Sequence, residues 1–141
     1  MTMQRREWLL GTTATLGMAA CSTTPAPGGA SAVPSSAKVL VVGGGYGGAT
    51  AAKYLRLFSD NKLDVVLVEP NDSFVSCPIS NLVLGGFTDM GSITTPYGAL
   101  SSRHGVRVVK DTVASIDAVA KVARLASGAS IRYDKLVLSP G

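Results

Sequence analysis

The chain has 141 residues, 46% of them hydrophobic and 16% charged, a balance that fits a globular domain rather than a disordered or fibrous one. Its formal charge of +4 is carried by Lys and Arg scattered singly, with no basic stripe and no basic patch interleaved with aromatics, so nucleic-acid binding finds no support. Residues 1–37 differ in composition from the rest and read as targeting and linker, leaving roughly 100 residues, about one small domain.

Residues 1–21 have the layout of an export signal. Arg5-Arg6 stands directly before a moderately apolar stretch that runs to Ala20. That stretch is too short to span a bilayer, which takes about 20 apolar residues. A charged start followed by a short apolar run is a cleavable leader, and the arginine pair points to the twin-arginine route. Two endings stay open. Met18-Ala19-Ala20-Cys21 resembles a lipoprotein box, which would make a lipid anchor at Cys21 the only membrane attachment. Ala30-Ser31-Ala32 and Ser35-Ser36-Ala37 offer ordinary cleavage sites instead. Either ending sends the mature protein to the periplasm. Residues 22–37, rich in Ser, Thr, Pro, Gly and Ala, form a linker.

Residues 38–141 open on Lys38-Val39-Leu40-Val41-Val42, a β-branched apolar run expected of a strand buried on both faces of a parallel sheet. It leads into Gly43-Gly44-Gly45-Tyr46-Gly47-Gly48, which holds the G-x-G-x-x-G pattern at Gly43, Gly45 and Gly48. A helix is predicted over Ala49 to Phe58, then a second strand over Leu63 to Val68, ending at Glu69. Gly43 permits a tight turn out of the strand, Gly45 lets backbone approach a diphosphate, and Gly48 lets the helix pack closely on the strand. Free amides and the dipole at the helix start favour the diphosphate charge. Glu69 lies 21 residues past Gly48, where a carboxylate accepts from ribose hydroxyls and disfavours a 2′-phosphate. Strand, glycines, helix, strand and terminal Glu in this order point to a dinucleotide, FAD or NAD rather than NADP.

The remainder separates those two. A third strand is expected at Val106 to Val109, after a polar, helical stretch around Tyr97 to His104. His104, the only histidine, reads as a helix C-terminal residue rather than a base. Short runs at Ala114 to Asp117, Lys121 to Leu125 and Ser130 to Tyr133, with turns between them, predict a small antiparallel meander. Residues 133–141 return to a buried strand that ends at Gly141. A Rossmann half followed by a meander and such a strand resembles the glutathione-reductase-like flavoproteins. The fold class expected is therefore α/β, a Rossmann-like FAD-binding domain with a parallel sheet and a small antiparallel meander. Because the chain stops at Ser139-Pro140-Gly141, directly after an apolar run, it reads as the N-terminal part of a longer protein. The cofactor site assigned is Gly43, Gly45, Gly47, Gly48, Glu69, Pro70, Val109 and Gly141, with no metal ligands; Cys77 joins it only through the family resemblance that follows.

Between the second and third strands lies the uncharged stretch Ser73-Phe74-Val75-Ser76-Cys77-Pro78-Ile79-Ser80-Asn81. With Gly43 to Tyr54 and Val68-Glu69-Pro70-Asn71, it resembles the flavoprotein subunit of flavocytochrome c sulfide dehydrogenase over essentially all of residues 38–141. The glycine fingerprint is shared by many flavoproteins, whereas Cys-Pro-Ile-Ser-Asn at this place is far more specific. The resemblance implies FAD held covalently, by a thioether from Cys77 to the flavin 8α-methyl. A buried structural thiol and a disulfide with Cys21 are the other readings of Cys77, the second disfavoured because Cys21 sits in the leader or its tether. It also implies sulfide as substrate, a redox cysteine pair that is neither Cys21 nor Cys77, and a c-type cytochrome subunit as electron acceptor. No C-x-x-C-H haem site occurs in the chain. A sulfide:quinone reductase-like or NADH dehydrogenase-like enzyme, or a non-catalytic FAD-binding electron carrier, remains as an alternative.

Overall fold

The structure, a computed structural model, describes residues 37–140. The leader, the linker up to Ser36, Cys21 and Gly141 lie outside the described residues.

Four parallel strands form the main sheet. They are β1 (Lys38–Val42), β2 (Asp64–Val68), β5 (Arg107–Val109) and β9 (Lys135–Leu138), in spatial order β5-β2-β1-β9. β1 pairs with β2 from Lys38↔Asp64 to Val42↔Val68, and on its other side with β9 from Val39↔Lys135 to Val42↔Leu138. The chain moves outward from β1 to β2 and β5, then returns to β9 on the far side of β1. That reversal makes a topological switch point between β1 and β9, and ligands of open α/β sheets bind at the carboxyl ends of the strands there.

Strand residues alternate between faces, and the apolar runs of β1 and β2 serve two cores. Val39, Val41, Val65 and Leu67 face one way and pack with Ala52, Leu63, Tyr97 and Val106. Leu40, Val66 and Val68 face the other way and pack with Ala123, Leu125 and Tyr133. The first core is roofed by α1 (Tyr46–Phe58) and α3 (Gly98–His104). The second is roofed by the meander β6 (Val113–Asp117), β7 (Val122–Leu125) and β8 (Ser130–Arg132). Burial on both faces explains why neither strand alternates with polar residues. Each such side chain contributes roughly 1.5–3 kcal/mol when fully buried.

Three features depart from the sequence expectation. The helix predicted from Ala49 begins at Tyr46, so Gly47 and Gly48 lie in its first turn. Close packing on the β1 turn outweighs the poor helix propensity of two glycines. The stretch 73–96 also holds a two-stranded antiparallel pair that was not foreseen, β3 (Ser73–Val75) with β4 (Thr94–Pro96). Between these strands lie a 3-10 turn at Cys77–Ile79, the short helix α2 (Ser80–Leu84) and a second 3-10 turn at Gly91–Ile93. The meander and the returning strand stand where the sequence placed them, but β9 is not buried as expected. Among the described residues it is the edge strand of the sheet, half-buried at Leu136 and Val137 and exposed at Lys135 and Leu138. His104 closes α3 ahead of Gly105, whose φ of +63 makes the left-handed helix stop. No described helix is long and apolar enough to cross a membrane.

Candidate functional site

At the carboxyl ends of the strands lies a cleft of about 820 Å³, within the range typical of small-molecule sites. Its wall is built from four strand ends. Val42 ends β1 and Gly43 and Gly45 follow it, while Val68 ends β2 and Glu69 to Val75 follow it. Asp111 to Val113 follow β5, Pro140 follows β9, and Tyr97 joins the wall from the start of α3.

The glycines divide into two roles. Gly43 leaves β1 at φ +94, and a Cβ there would meet Ser139 O at 2.2 Å. Its N–H donates to Val68 O at 2.9 Å, and Ser139 N–H donates to Val42 O at 2.9 Å, so the turn is tied to both neighbouring strands. A Cβ on Gly48 would lie 1.8 Å from Gly43 O, and one on Gly47 would lie 2.8 Å from Ser139 Oγ. These three glycines let the helix press onto the turn. Gly45 differs, because a Cβ there would meet nothing within 4 Å. The space beside it is open cleft.

Gly45 is the N-cap of α1. It has no side chain to cap the helix, and the first turn carries no acidic residue. The first helical bond runs from Ala49 N–H to Gly45 O at 3.0 Å, so the amides before Ala49 lack intrahelical partners. An anion seated at the mouth of α1 would satisfy them and the helix dipole together.

Glu69 stands at the end of β2, 8% exposed, with its N–H donating to Val109 O at 3.0 Å. Val109 thus anchors the site through its backbone, from the adjoining strand. The Glu69 carboxylate is held from both sides. Oε2 accepts from Gly44 N–H at 2.7 Å, and Oε1 accepts from Asn71 N–H at 3.1 Å and Asn71 Nδ2 at 2.7 Å. A carboxylate offers about four acceptor sites, so one remains, on Oε2, for a hydroxyl. Asp72 and Asp111 line the same wall, and no Lys or Arg does. Hydrogen bonds from Ser127 and from Thr112 N–H hold the Asp111 carboxyl below its ordinary value of 3.8, so it is ionised at neutral pH. Asp72 is paired with Lys110 at 2.6 Å. This wall therefore offers an anion backbone amides rather than a cationic side chain, and it carries three carboxylates. The glycine turn, the uncapped helix and Glu69 fit the adenosine diphosphate end of FAD. Pro70 follows Glu69 in the same wall.

Cys77 is a free, exposed thiol at the first residue of the 3-10 turn after β3. It does not line the cleft. Its neighbour Val75 does, and β3 is tied to the start of α1. Phe74 packs edge-on against Tyr46 at 4.5 Å between ring centroids, and the Tyr46 hydroxyl is hydrogen-bonded to Ser76 Oγ. The thiol thus stands beyond the hairpin strand that closes the cleft, opposing the reading of a buried structural cysteine. Sequence reasoning missed Tyr97, whose hydroxyl donates to Gly44 O at 2.8 Å. Burial pushes the Tyr97 phenol above its ordinary 10.0, and Glu69 adds to the rise. Among the described residues, no three His, Cys, Asp or Glu groups cluster as metal ligands.

A parallel sheet with a switch point, a glycine turn under an uncapped helix and an acidic residue ending β2 define the Rossmann-like FAD-binding fold. Residues 37–141 match the family model described as pyridine nucleotide-disulphide oxidoreductase, and the chain belongs to that family. It is 59% identical over 46 residues to the sulfide dehydrogenase [flavocytochrome c] flavoprotein chain of Chlorobaculum thiosulfatiphilum, a match covering 33% of this chain and 94% of that sequence. It is 34% identical over 105 residues to the mitochondrial sulfide:quinone oxidoreductase of Dictyostelium discoideum, covering 74% of this chain and 23% of the relative. The crystal structure of the sulfide:quinone oxidoreductase from Aquifex aeolicus superposes with a TM-score of 0.66 at 30% identity, over 74% of this chain and 24% of that one. The chain therefore spans about a quarter of the length of these two quinone reductases.

Proposed function

We propose that this chain provides the adenosine-diphosphate-binding part of the FAD site in a periplasmic flavoprotein sulfide dehydrogenase. In this reading sulfide is oxidised and the electrons pass to a c-type cytochrome subunit. The observation that carries it is the free, exposed Cys77 on the hairpin tied to the mouth of α1. The 59% identity to a sulfide dehydrogenase flavoprotein chain supports it as well.

The residues have separable tasks. Amides of the first turn of α1 hold the diphosphate, and Gly45 leaves room for it. Glu69 takes a ribose hydroxyl on Oε2. Asp72 and Asp111 repel a phosphate at the ribose 2′ position. Cys77 would tether the flavin by a thioether at its 8α-methyl. FAD, when bound, supplies an acceptor that takes two electrons together and releases them singly. The cysteine pair expected to meet sulfide is neither Cys21 nor Cys77. Gly141, next in sequence to Pro140, is proposed as a further cofactor-binding residue. The arginine pair at Arg5-Arg6 directs export after the cofactor is loaded, and Cys21 is the one proposed point of lipid attachment.

The 34% identity to a sulfide:quinone oxidoreductase favours a second reading, with quinone as acceptor. Anaerobic titration of the full chain decides between them. Sulfide should bleach the flavin absorbance, and oxidised c-type cytochrome should restore it faster than a soluble quinone does. Faster recovery with quinone would replace the first reading by the second. Bleaching by NADH but not by sulfide would exclude both.

A further inference from the structure

Three consecutive glycines open the cofactor turn, and the middle one does not touch the cleft. Gly44 is absent from the wall that Gly43 and Gly45 help to form. Its φ lies outside the left-handed region, so conformation alone does not require glycine there. Space does. A Cβ on Gly44 would lie 2.5 Å from the Tyr97 hydroxyl oxygen and 2.9 Å from Glu69 Cγ.

Tyr97 is 7% exposed and stands at the N-cap of α3, 53 residues along the chain from the atom it bonds. Its hydroxyl donates to Gly44 O at 2.8 Å. That carbonyl belongs to the peptide unit joining Gly44 to Gly45. The unit is planar and trans, so its N–H points opposite to its C=O. Holding the Gly44 carbonyl against Tyr97 therefore aims the Gly45 N–H away from the protein core, on the side where Gly45 borders open cleft. That amide makes no hydrogen bond within the described residues. A hydrogen bond accepted by the carbonyl also polarises the N–H of the same unit.

We infer that Tyr97 is a positioning residue of the cofactor site, which aims and polarises the Gly45 amide toward the diphosphate of the bound nucleotide. The inference rests on the cleft being the FAD site and adds a residue that no fingerprint contains. Tyr97 also lines the cleft, and its hydroxyl, turned to Gly44 O, acts on the diphosphate through one peptide unit. Glu69, held by the separate N–H of Gly44, is left to the ribose. The hydroxyl of Tyr97 therefore matters for ligands that carry the diphosphate, and not for adenosine.

The test compares Tyr97 with Tyr97→Phe in the full chain, both carrying Cys77→Ser so that flavin exchanges freely. ADP and adenosine affinities are measured by competition against FAD, and thermal melting of the apoprotein reports folding. Tyr97→Phe should weaken ADP by about 3- to 10-fold, the worth of one hydrogen bond, while adenosine changes less than about 2-fold. Equal weakening of both would show that Tyr97 merely holds the turn together and overturns the inference. Unchanged ADP affinity overturns it too. Wild type binding neither FAD nor ADP would instead remove the cofactor reading on which it rests. If the Phe variant does not fold, Gly44→Ala gives the second arm. It forces Tyr97 off the carbonyl and also presses on Glu69, so it should weaken ADP at least as much, and by more than it weakens adenosine. Wild-type ADP affinity in Gly44→Ala would contradict the inference.

Discussion

Gly48 and Gly45 are three residues apart in one motif, yet the structure predicts opposite consequences for adding a single methyl group. At Gly48 the new Cβ would start 1.8 Å from Gly43 O, and real Cβ atoms essentially never come closer than 3.0 Å. Helix α1 must then lift from the β1 turn by at least about 1.2 Å. The obstructing atom is backbone of a turn hydrogen-bonded to Val68 O, so no flexible side chain gives way. Overpacking of this kind costs about 1–3 kcal/mol, occasionally more. Alanine returns roughly 1 kcal/mol through helix propensity, which leaves a net loss near 2 kcal/mol for the steepest contacts. At about 4–8 °C per kcal/mol for a domain of this size, Gly48→Ala should melt about 8–16 °C lower. At Gly45 the Cβ meets nothing, and the backbone at φ −64 suits alanine. Gly45→Ala should hold stability to within about 0.5 kcal/mol, yet lose flavin because the methyl occupies the approach to the helix mouth. Circular-dichroism melts, read beside the flavin content of each purified protein, separate the two effects. A destabilised Gly45→Ala, or a Gly48→Ala melting like wild type, would refute this division of roles.

The other predictions concern ribose selection, alkaline stability and export. In the Cys77→Ser protein, ADP carrying a 2′-phosphate should compete with FAD less well than ADP, because Glu69, Asp72 and Asp111 line the wall and no Lys or Arg does; equal competition would remove these carboxylates from the ribose end. The raised Tyr97 phenol binds its proton more tightly in the folded state than in the unfolded state. The stability it contributes is thus complete below pH 10 and is lost as pH rises through the folded value. Tyr97→Phe should flatten that alkaline decline in urea melts, and an unchanged slope would assign the decline to other groups. Replacing Arg5 and Arg6 by Lys should keep the precursor inside the cell, whereas normal periplasmic yield would exclude the twin-arginine route.

Much of the nucleotide half was legible in the sequence because its signals are local. β1, the glycine turn, α1, β2 and Glu69 follow one another within 32 residues from Lys38 to Glu69, and each fixes the next by spacing. The meander was legible for the same reason, with turns such as that at Gly128, φ +89, marking its strands. The β3–β4 pair was not. Each strand is three residues long, too short for alternation to register, and Val75 pairs with Thr94 across an intervening stretch of turns and short helix. Tyr97 was seen only as part of a polar helical stretch. Its role arises from a contact 53 residues distant, and no local pattern carries that. The start of α1 was misplaced because Gly47 and Gly48 are poor helix formers whose conformation is set by contact with Gly43 and Ser139. Cys77 was singled out by resemblance alone. Its exposure on a hairpin tied to the helix mouth is what the structure adds.

The central claim is that this chain holds FAD and that Cys77 would be its covalent tether, and digestion of the acid-precipitated full chain tests it most directly. Trypsin should release one peptide from Leu63 to Arg103, which contains no internal Lys or Arg. The account predicts a yellow pellet and that peptide carrying the mass of FAD or its flavin mononucleotide remnant at Cys77, both lost in Cys77→Ser. A colourless pellet, with all flavin in the supernatant and Cys77 unmodified in the wild-type peptide, would contradict it.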